Sequence, residues 1–135
     1  PIRTVVEVVN KDNIKMMQRA RVDGIVSADG IMDGLIVQEF LNPGVHNVMH
    51  QILTNTVGSQ FYILETKLIG QTISQLQNGM LNHPKSLQLI GVVRDCQTIL
   101  SPDKTMKIEE KDQLVIIAEH RSDYQAFEKD VLQNA

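Results

Sequence analysis

His46 and His50 stand four residues apart, so a helix would carry both imidazoles on one face. Zinc hydrolases use this spacing as HExxH, where a Glu directly after the first His serves as general base. Here Asn47 holds that place, and two histidines fall short of the three protein ligands that catalytic zinc takes. His83 and His120 could extend the set, but no pattern positions them, and the pair reads as a partly exposed helix face near a subunit boundary. Cys96 follows Arg94-Asp95 with no base or thiolate-stabilising neighbour in the local sequence, and reads as a small strand residue. Ser27, Ser74 and Ser86 lack a nucleophile-elbow setting such as GxSxG. Asp29 and Asp33 lie around Gly30, but DGIMDG has no EF-hand ligand repeat. Glu109-Glu110-Lys111-Asp112 reads as a solvated turn capping the strand that follows. With no complete triad, zinc signature or dinucleotide fingerprint, no hydrolase or redox activity is expected.

Three positions rise above that background. Glu7 lies inside an apolar run, where an ionised carboxylate is costly unless paired or liganded; pairing with Arg3 is the structural alternative. Asn10 and Asp29 follow two strands, at the carboxyl edge where open α/β sheets bind ligands. One amide and one or two carboxylates suit a cation or a hydrogen-bond-donating ligand better than bare phosphate. Glu7 is the one candidate metal ligand.

The elements that must position these groups follow from periodicity. Ile2 to Val9, IRTVVEVV, is a β-branched run expected of a parallel strand buried on both faces. Asn10 or Asp12 would cap a helix carrying Ile14, Met17 and Ala20, and Gly24 to Ala28 gives a second strand, completing a right-handed βαβ unit. A helix is expected over Ile31 to Leu41, interrupted by Asn42-Pro43-Gly44. Val45 to Thr54 forms the next, with Val45, Val48, Met49, Ile52 and Leu53 on one stripe too wide for a connecting helix to bury alone; these five are the expected dimer interface. Asn55 to Ser59 is the hinge-like boundary, dividing the chain into lobes 1–57 and 58–135. In the second lobe, Gln60 to Glu65 is a strand and about Gln71 to Gln77 a helix, with Asn78-Gly79 marking an irregular connection. Leu87 to Val93 and Cys96 to Leu100 make a hairpin closed by Ser101-Pro102-Asp103, and Gln113 to Ala118 is a buried strand. Ser122 is the candidate cap of a last helix with Tyr124, Phe127, Val131 and Leu132 inward.

At 135 residues, 42% hydrophobic and 21% charged, the chain has the composition of one globular domain or two small lobes. Its net charge is −3 with no basic cluster, which argues against nucleic acid as a partner. A single cysteine forms no internal disulfide and fits a reducing setting. Apolar runs fall well short of the ~20 residues of a membrane helix. A start at proline, in mid-strand and without methionine, reads as a fragment of a longer protein.

The order apolar strand, GVVRD, short strand ending in LSP, then I-x-x-x-D-x-L-V-I-I (Ile108 to Ile117) resembles the C-terminal, TrkA-C-like lobe of RCK domains, regulators of potassium conductance. The resemblance covers Gly58 to Leu132 and extends weakly back to Ile2. Gly70, Ile73 and Leu76 match a G-x-x-I/L-x-x-L element of the family. The fold it implies is α/β: the end of a Rossmann-like parallel-sheet lobe, a crossover helix corresponding to Val45–Thr54, and a small α+β lobe. The resemblance further implies a ligand-sensing domain on the cytoplasmic face of the cell membrane. That domain would belong to a potassium channel or transporter, as a dimer within an octameric ring joined to a membrane pore domain. Calcium or nucleotide would be the ligand in the full-length protein. Calcium-gated members carry two glutamates spaced two apart on the first strand; here Glu7 is followed by Val9, which puts such a site in doubt. Related lobes bind a cyclic dinucleotide between two copies, around the stretch matching Ile90 to Pro102. No GxGxxG is present. Two alternatives stand beside this reading: the remnant of a nicotinamide-dependent dehydrogenase, and a ligand-independent dimerisation module.

Overall fold

The computed structural model describes residues 2–54 and 58–134, with residues 11 and 28–30 described by their backbone alone. Of the expected hinge-like boundary at 55–59, residues 55–57 lie outside the described residues. Two units separate, residues 1–50 and 51–135, with the division falling within a helix.

In the first unit, β1 (Val5–Val8) and β2 (Gly24–Ser27) are joined through a 3-10 turn (Lys11–Asn13) and α1 (Ile14–Arg19). The strands pair in parallel, Val5 opposite Gly24 and Val8 opposite Ser27, as the βαβ reading requires. The Asp23 carboxylate and the Thr4 carbonyl fix the register, accepting from Thr4 N at 2.6 Å and Gly24 N at 2.9 Å. The strand is shorter than the β-branched run and is not buried on both faces: Val8 is 4% exposed, Val5 65% and Val9 75%. Two strands with α1 against them leave the second face open, whereas double burial requires helices on both sides. α2 (Ala28–Leu41) starts three residues earlier than expected, because Ser27 is extended and serves as N-cap. Its apolar residues Ile31, Met32, Ile36, Val37, Phe40 and Leu41 all stand exposed, with no polar side to the helix. Asn42-Pro43-Gly44 then breaks the chain, Gly44 at φ +106°, and α3 (Val45–Thr54) begins.

The second unit is a four-stranded antiparallel sheet in the order β3-β6-β4-β5, formed by β3 (Gln60–Glu65), β4 (Leu87–Arg94), β5 (Gln97–Leu100) and β6 (Gln113–Ala118). Strand alternation decides its faces: Tyr62 and Leu64 of β3 turn to the core while Phe61 and Ile63 stay exposed. Against the core face lie α4 (Ile73–Asn82), through Ile73, Leu76 and Met80, and α5 (Arg121–Gln133), through Tyr124, Phe127 and Val131. Both sets follow i, i+3, i+7 spacing, the pattern of a helix with one buried stripe.

Several expected boundaries move for identifiable reasons. α4 starts two residues later than Gln71 because Thr72 caps it: Thr72 Oγ1 accepts from Gln75 N at 3.1 Å and Gln75 Oε1 from Thr72 N at 2.8 Å. It continues through Asn78-Gly79, since Phe127 lies so close that a Cβ on Gly79 would sit 3.0 Å from the ring. Cys96 is in the hairpin turn, not on the strand; Asp95 and Cys96 take φ of +52° and +62°, the left-handed pair that matches strand twist in a two-residue hairpin. His120, not Ser122, precedes α5, its N–H donating to Asp123 Oδ2 at 3.2 Å. Leu132 is 47% exposed and not inward.

Candidate functional site

The carboxyl edge of the β1–β2 pair is the first region the sequence singles out. Parallel register puts Glu7 opposite Val26 and Val8 opposite Ser27. Glu7 points to the exposed face, opposite to buried Val8. Its carboxylate therefore escapes the desolvation cost argued from the sequence, and no ion pair with Arg3 forms among the described residues. The Asn10 amide oxygen accepts from Asp12 N at 2.9 Å, holding the turn that leads into α1. Asp29 is in the first turn of α2, and its side chain lies outside the described residues. Sequence reading missed Ser27 here: its Oγ is buried without a partner among the described residues, at the strand end beside Asp29. Buried hydroxyls normally have partners, but nothing in GIVSADG distinguishes this serine by type or spacing.

The second region is α3. Val48 is 58% and Leu53 68% exposed, while Val45, Met49 and Ile52 are half-buried. Glu39 reaches from α2 to close the helix start, its Oε2 accepting from His46 N at 3.0 Å and both oxygens from Gly44 N at 3.2 Å. These bonds, that from His46 first, hold the Glu39 carboxyl below its ordinary value. His46 and His50 stack with ring centroids 6.0 Å apart and planes 24° from parallel. The other two histidines are elsewhere. The His83 Nε2 is 2.8 Å from Asp130 Oδ2 and its Nδ1 accepts from Lys85 N, while His120 precedes α5.

The third region is polar and internal to the sheet lobe. Asp112 is 3% exposed, against the expectation that its turn is solvated throughout. Arg94 grips it two-pronged, Nε to Oδ1 at 3.0 Å and Nη2 to Oδ2 at 2.7 Å. Arg94 Nη2 also donates to the Lys107 carbonyl, and Glu109 N donates to Asp112 Oδ2 at 2.8 Å. The Arg94 hydrogen bond is the main cause that holds the Asp112 carboxyl below its usual range, against burial. This clamp ties the end of β4 to the start of β6 across the long connection. Its two partners are the Arg of GVVRD and the Asp of I-x-x-x-D-x-L-V-I-I, so the motif order was a signal for it. A cleft of about 510 Å³ opens beside α4 and β4, with Gln77, Asn78, Lys85, Ser86 and Gln88 among its lining. Within the stretch Ile90 to Pro102, Leu100 is exposed and Pro102 buried.

The family model of the TrkA-C domain matches residues 60–130. That span takes in the whole antiparallel sheet, α4 and most of α5. Among solved structures, the human SLO3 gating ring is similar over 92% of this chain and 27% of its own, at 17% identity and a TM-score of 0.65. The GsuK channel matches over 98% of this chain and 23% of its own, at 14% identity and a TM-score of 0.44. The RCK C domain of the potassium transport protein KtrA, in complex with cyclic diadenosine monophosphate, matches over 64% and 94%, at 24% identity and a TM-score of 0.45. The chain spans about a quarter of the length of the first two. No curated protein matches the sequence.

Proposed function

We propose, from the premise that this chain belongs to the TrkA-C domain family, that it is a ligand-sensing regulatory domain of a potassium channel or potassium transporter. Ligand binding shifts how copies pack in a dimer or ring, and that shift biases a membrane pore domain. The lobe division is 1–57 and 58–135, and the chain works on the cytoplasmic face of the membrane without catalytic turnover. The single observation that carries this reading is the TrkA-C match across the whole sheet-and-helix lobe.

Two features of the geometry support the finer parts. The parallel register brings Asn10 and Ser27 to one strand edge, where open α/β sheets receive ligands, and the Ser27 hydroxyl, without a partner among the described residues, suits a hydrogen-bonding ligand. The stripe Val45, Val48, Met49, Ile52 and Leu53 supplies an assembly face, and Met49→Asp is expected to shift the chain toward monomer in light scattering. A ligand moves the packing only as far as it binds the two arrangements unequally.

Thermal unfolding with calcium, adenine nucleotides and cyclic diadenosine monophosphate, each alone, is the test. A ligand that binds the folded chain at a hundred times its Kd stabilises by about 2.7 kcal/mol. Calcium stabilisation reduced by Glu7→Gln or Asp29→Asn places the site at the strand edge. Dimerisation with no shift from any of the three supports the ligand-independent assembly module instead.

A further inference from the structure

We propose that the cleft between α4 and β4 binds a small organic acid, its carboxylate at Lys85 and its apolar body on the floor beneath. The site is separate from the strand edge, from α3 and from the stretch Ile90 to Pro102, none of which lines the cleft. It does not depend on the regulatory reading above.

Unequal strand lengths create the opening. β4 runs for eight residues, but β5 pairs only with Gly91 to Arg94. Among the described residues, the first half of β4 therefore has no strand beside it on that side. α4 comes up against it instead, and Gln77 Nε2 donates to the Leu89 carbonyl at 3.3 Å. About 510 Å³ stays open between them, within the roughly 300–1,000 Å³ of small-molecule sites. The floor is apolar: Met80, Leu87 and Leu89 line it, each 5% exposed or less.

The rim decides the chemistry of the ligand. Lys85 brings a permanent positive charge, and no lining residue is an aspartate or glutamate. Asn78, Ser86 and Gln88 stand exposed around it, two amides and a hydroxyl that both donate and accept. An anion at the end of a helix normally meets its last carbonyls. Here Asn82 Nδ2 donates to the Asn78 carbonyl at 3.0 Å and His83 N to that of Met80 at 3.2 Å. One ammonium matches one carboxylate, whereas a phosphate monoester carries a charge of about −1.5 to −2. Lys85 is also held in place. Pro84 fixes the backbone before it, and Lys85 N donates to His83 Nδ1 at 3.1 Å. With Nδ1 accepting, His83 Nε2 carries the proton and donates to Asp130 Oδ2 at 2.8 Å. The ring stands edge-on to Phe127, centroids 5.6 Å apart. His83, its side chain 9% exposed, is thus a positioning residue that anchors the rim to α5, and a rim ordered in advance loses less on binding.

The experiment is a titration of the isotope-labelled chain with sodium octanoate, followed by amide chemical shifts, with octanol and octyl phosphate as comparisons. The expected result is saturable shifts centred on Asn78, Lys85, Ser86 and Gln88, with octanoate bound more tightly than either comparison. Lys85→Gln should weaken octanoate roughly tenfold, the worth of one charge-assisted hydrogen bond, and leave octanol unchanged. Lys85 is exposed, so the fold is retained, and unmoved amides in β3 and β6 verify it. His83→Phe keeps a ring against Phe127 and removes both nitrogens; it should weaken octanoate but not octanol, a split that general loosening of the lobe would not produce. Octanol bound as tightly as octanoate, or octanoate indifferent to Lys85→Gln, overturns the carboxylate site. Octyl phosphate bound more tightly overturns the ligand class. Shifts centred on the exposed Phe61 and Ile63, or no shifts at all, overturn the cleft. Unchanged octanoate affinity in His83→Phe overturns the positioning role.

Discussion

Residues 51–135 bury a continuous cluster from Leu64 to Phe127, whereas among the described residues of 1–50 only the side chain of Val8 is a buried apolar one. Both halves are rich in valine, isoleucine, leucine and methionine, so composition does not separate them. Arrangement does. The second unit stacks two amphipathic helices on one face of four antiparallel strands, and each apolar stripe has a partner. The first has two parallel strands and a helix, α2, whose apolar residues are spread around its axis instead of gathered on one face. A helix without a polar side belongs in an interior, and so small a sheet needs more packing to be stable. One unit closes a core with its own chain, and among the described residues of the other most large apolar side chains stay exposed.

Equal truncations in the two units would break or sharpen that contrast. Phe127 is 1% exposed and touches both Tyr124 and His83. Phe127→Ala is expected to cost about 3–5 kcal/mol, read as a fall in the urea midpoint. Phe40, 85% exposed on α2, should change stability by less than about 0.5 kcal/mol as alanine. A cost for Phe40→Ala approaching that of Phe127→Ala, and growing with protein concentration, would show that assembly covers α2 in solution.

The next effect concerns the Arg94–Asp112 clamp of the second unit. Removing Arg94 leaves the Asp112 carboxylate buried without its cation, and Arg94→Ala is expected to cost about 3 kcal/mol. The sign of the pH dependence follows from the direction of the shift. Arg94 holds the Asp112 carboxyl below its ordinary value, so its contribution is fully present above the unfolded aspartate pKa of about 3.9. It is lost as pH falls through the lower folded value. Denaturant midpoints between pH 7 and pH 2 should therefore fall less steeply at the acid end in Asp112→Asn than in the native chain. Parallel curves would refute the clamp's electrostatic role.

How much of this was legible in the sequence also differs between the units. The sheet lobe was readable because its strands are bounded by turn residues and its helices carry single stripes; β3 and β6 fall where periodicity put them. The misses there were tertiary in origin. Gly79 looked like a breaker because the sequence does not display the Phe127 ring that occupies the space of its side chain. Asp112 looked solvated because its partner is eighteen residues away. In the first unit, Glu7 seemed buried since a β-branched run implies two covered faces, and the structure supplies only one. The Ser27 hydroxyl had no signal at all. The His46–His50 pair was visible by spacing, but its stacking needed coordinates.

The smallest effect is the most specific to the packing of the lobe. Gly79 lies inside α4, where replacing glycine by alanine ordinarily favours a helix by up to about 1 kcal/mol. Here the added Cβ would meet Phe127 Cε2 at 3.0 Å and Cζ at 3.2 Å, and the ring, fixed between Tyr124 and His83, has little room to retreat. Overpacking costs about 1–3 kcal/mol, so Gly79→Ala should be destabilising by about 1 kcal/mol despite its better propensity. Trimming the ring supplies the control: against a Phe127→Leu background the same substitution should lose its cost or become stabilising. A double-mutant cycle with no coupling would mean that the ring moves freely and that Gly79 is kept for some other reason.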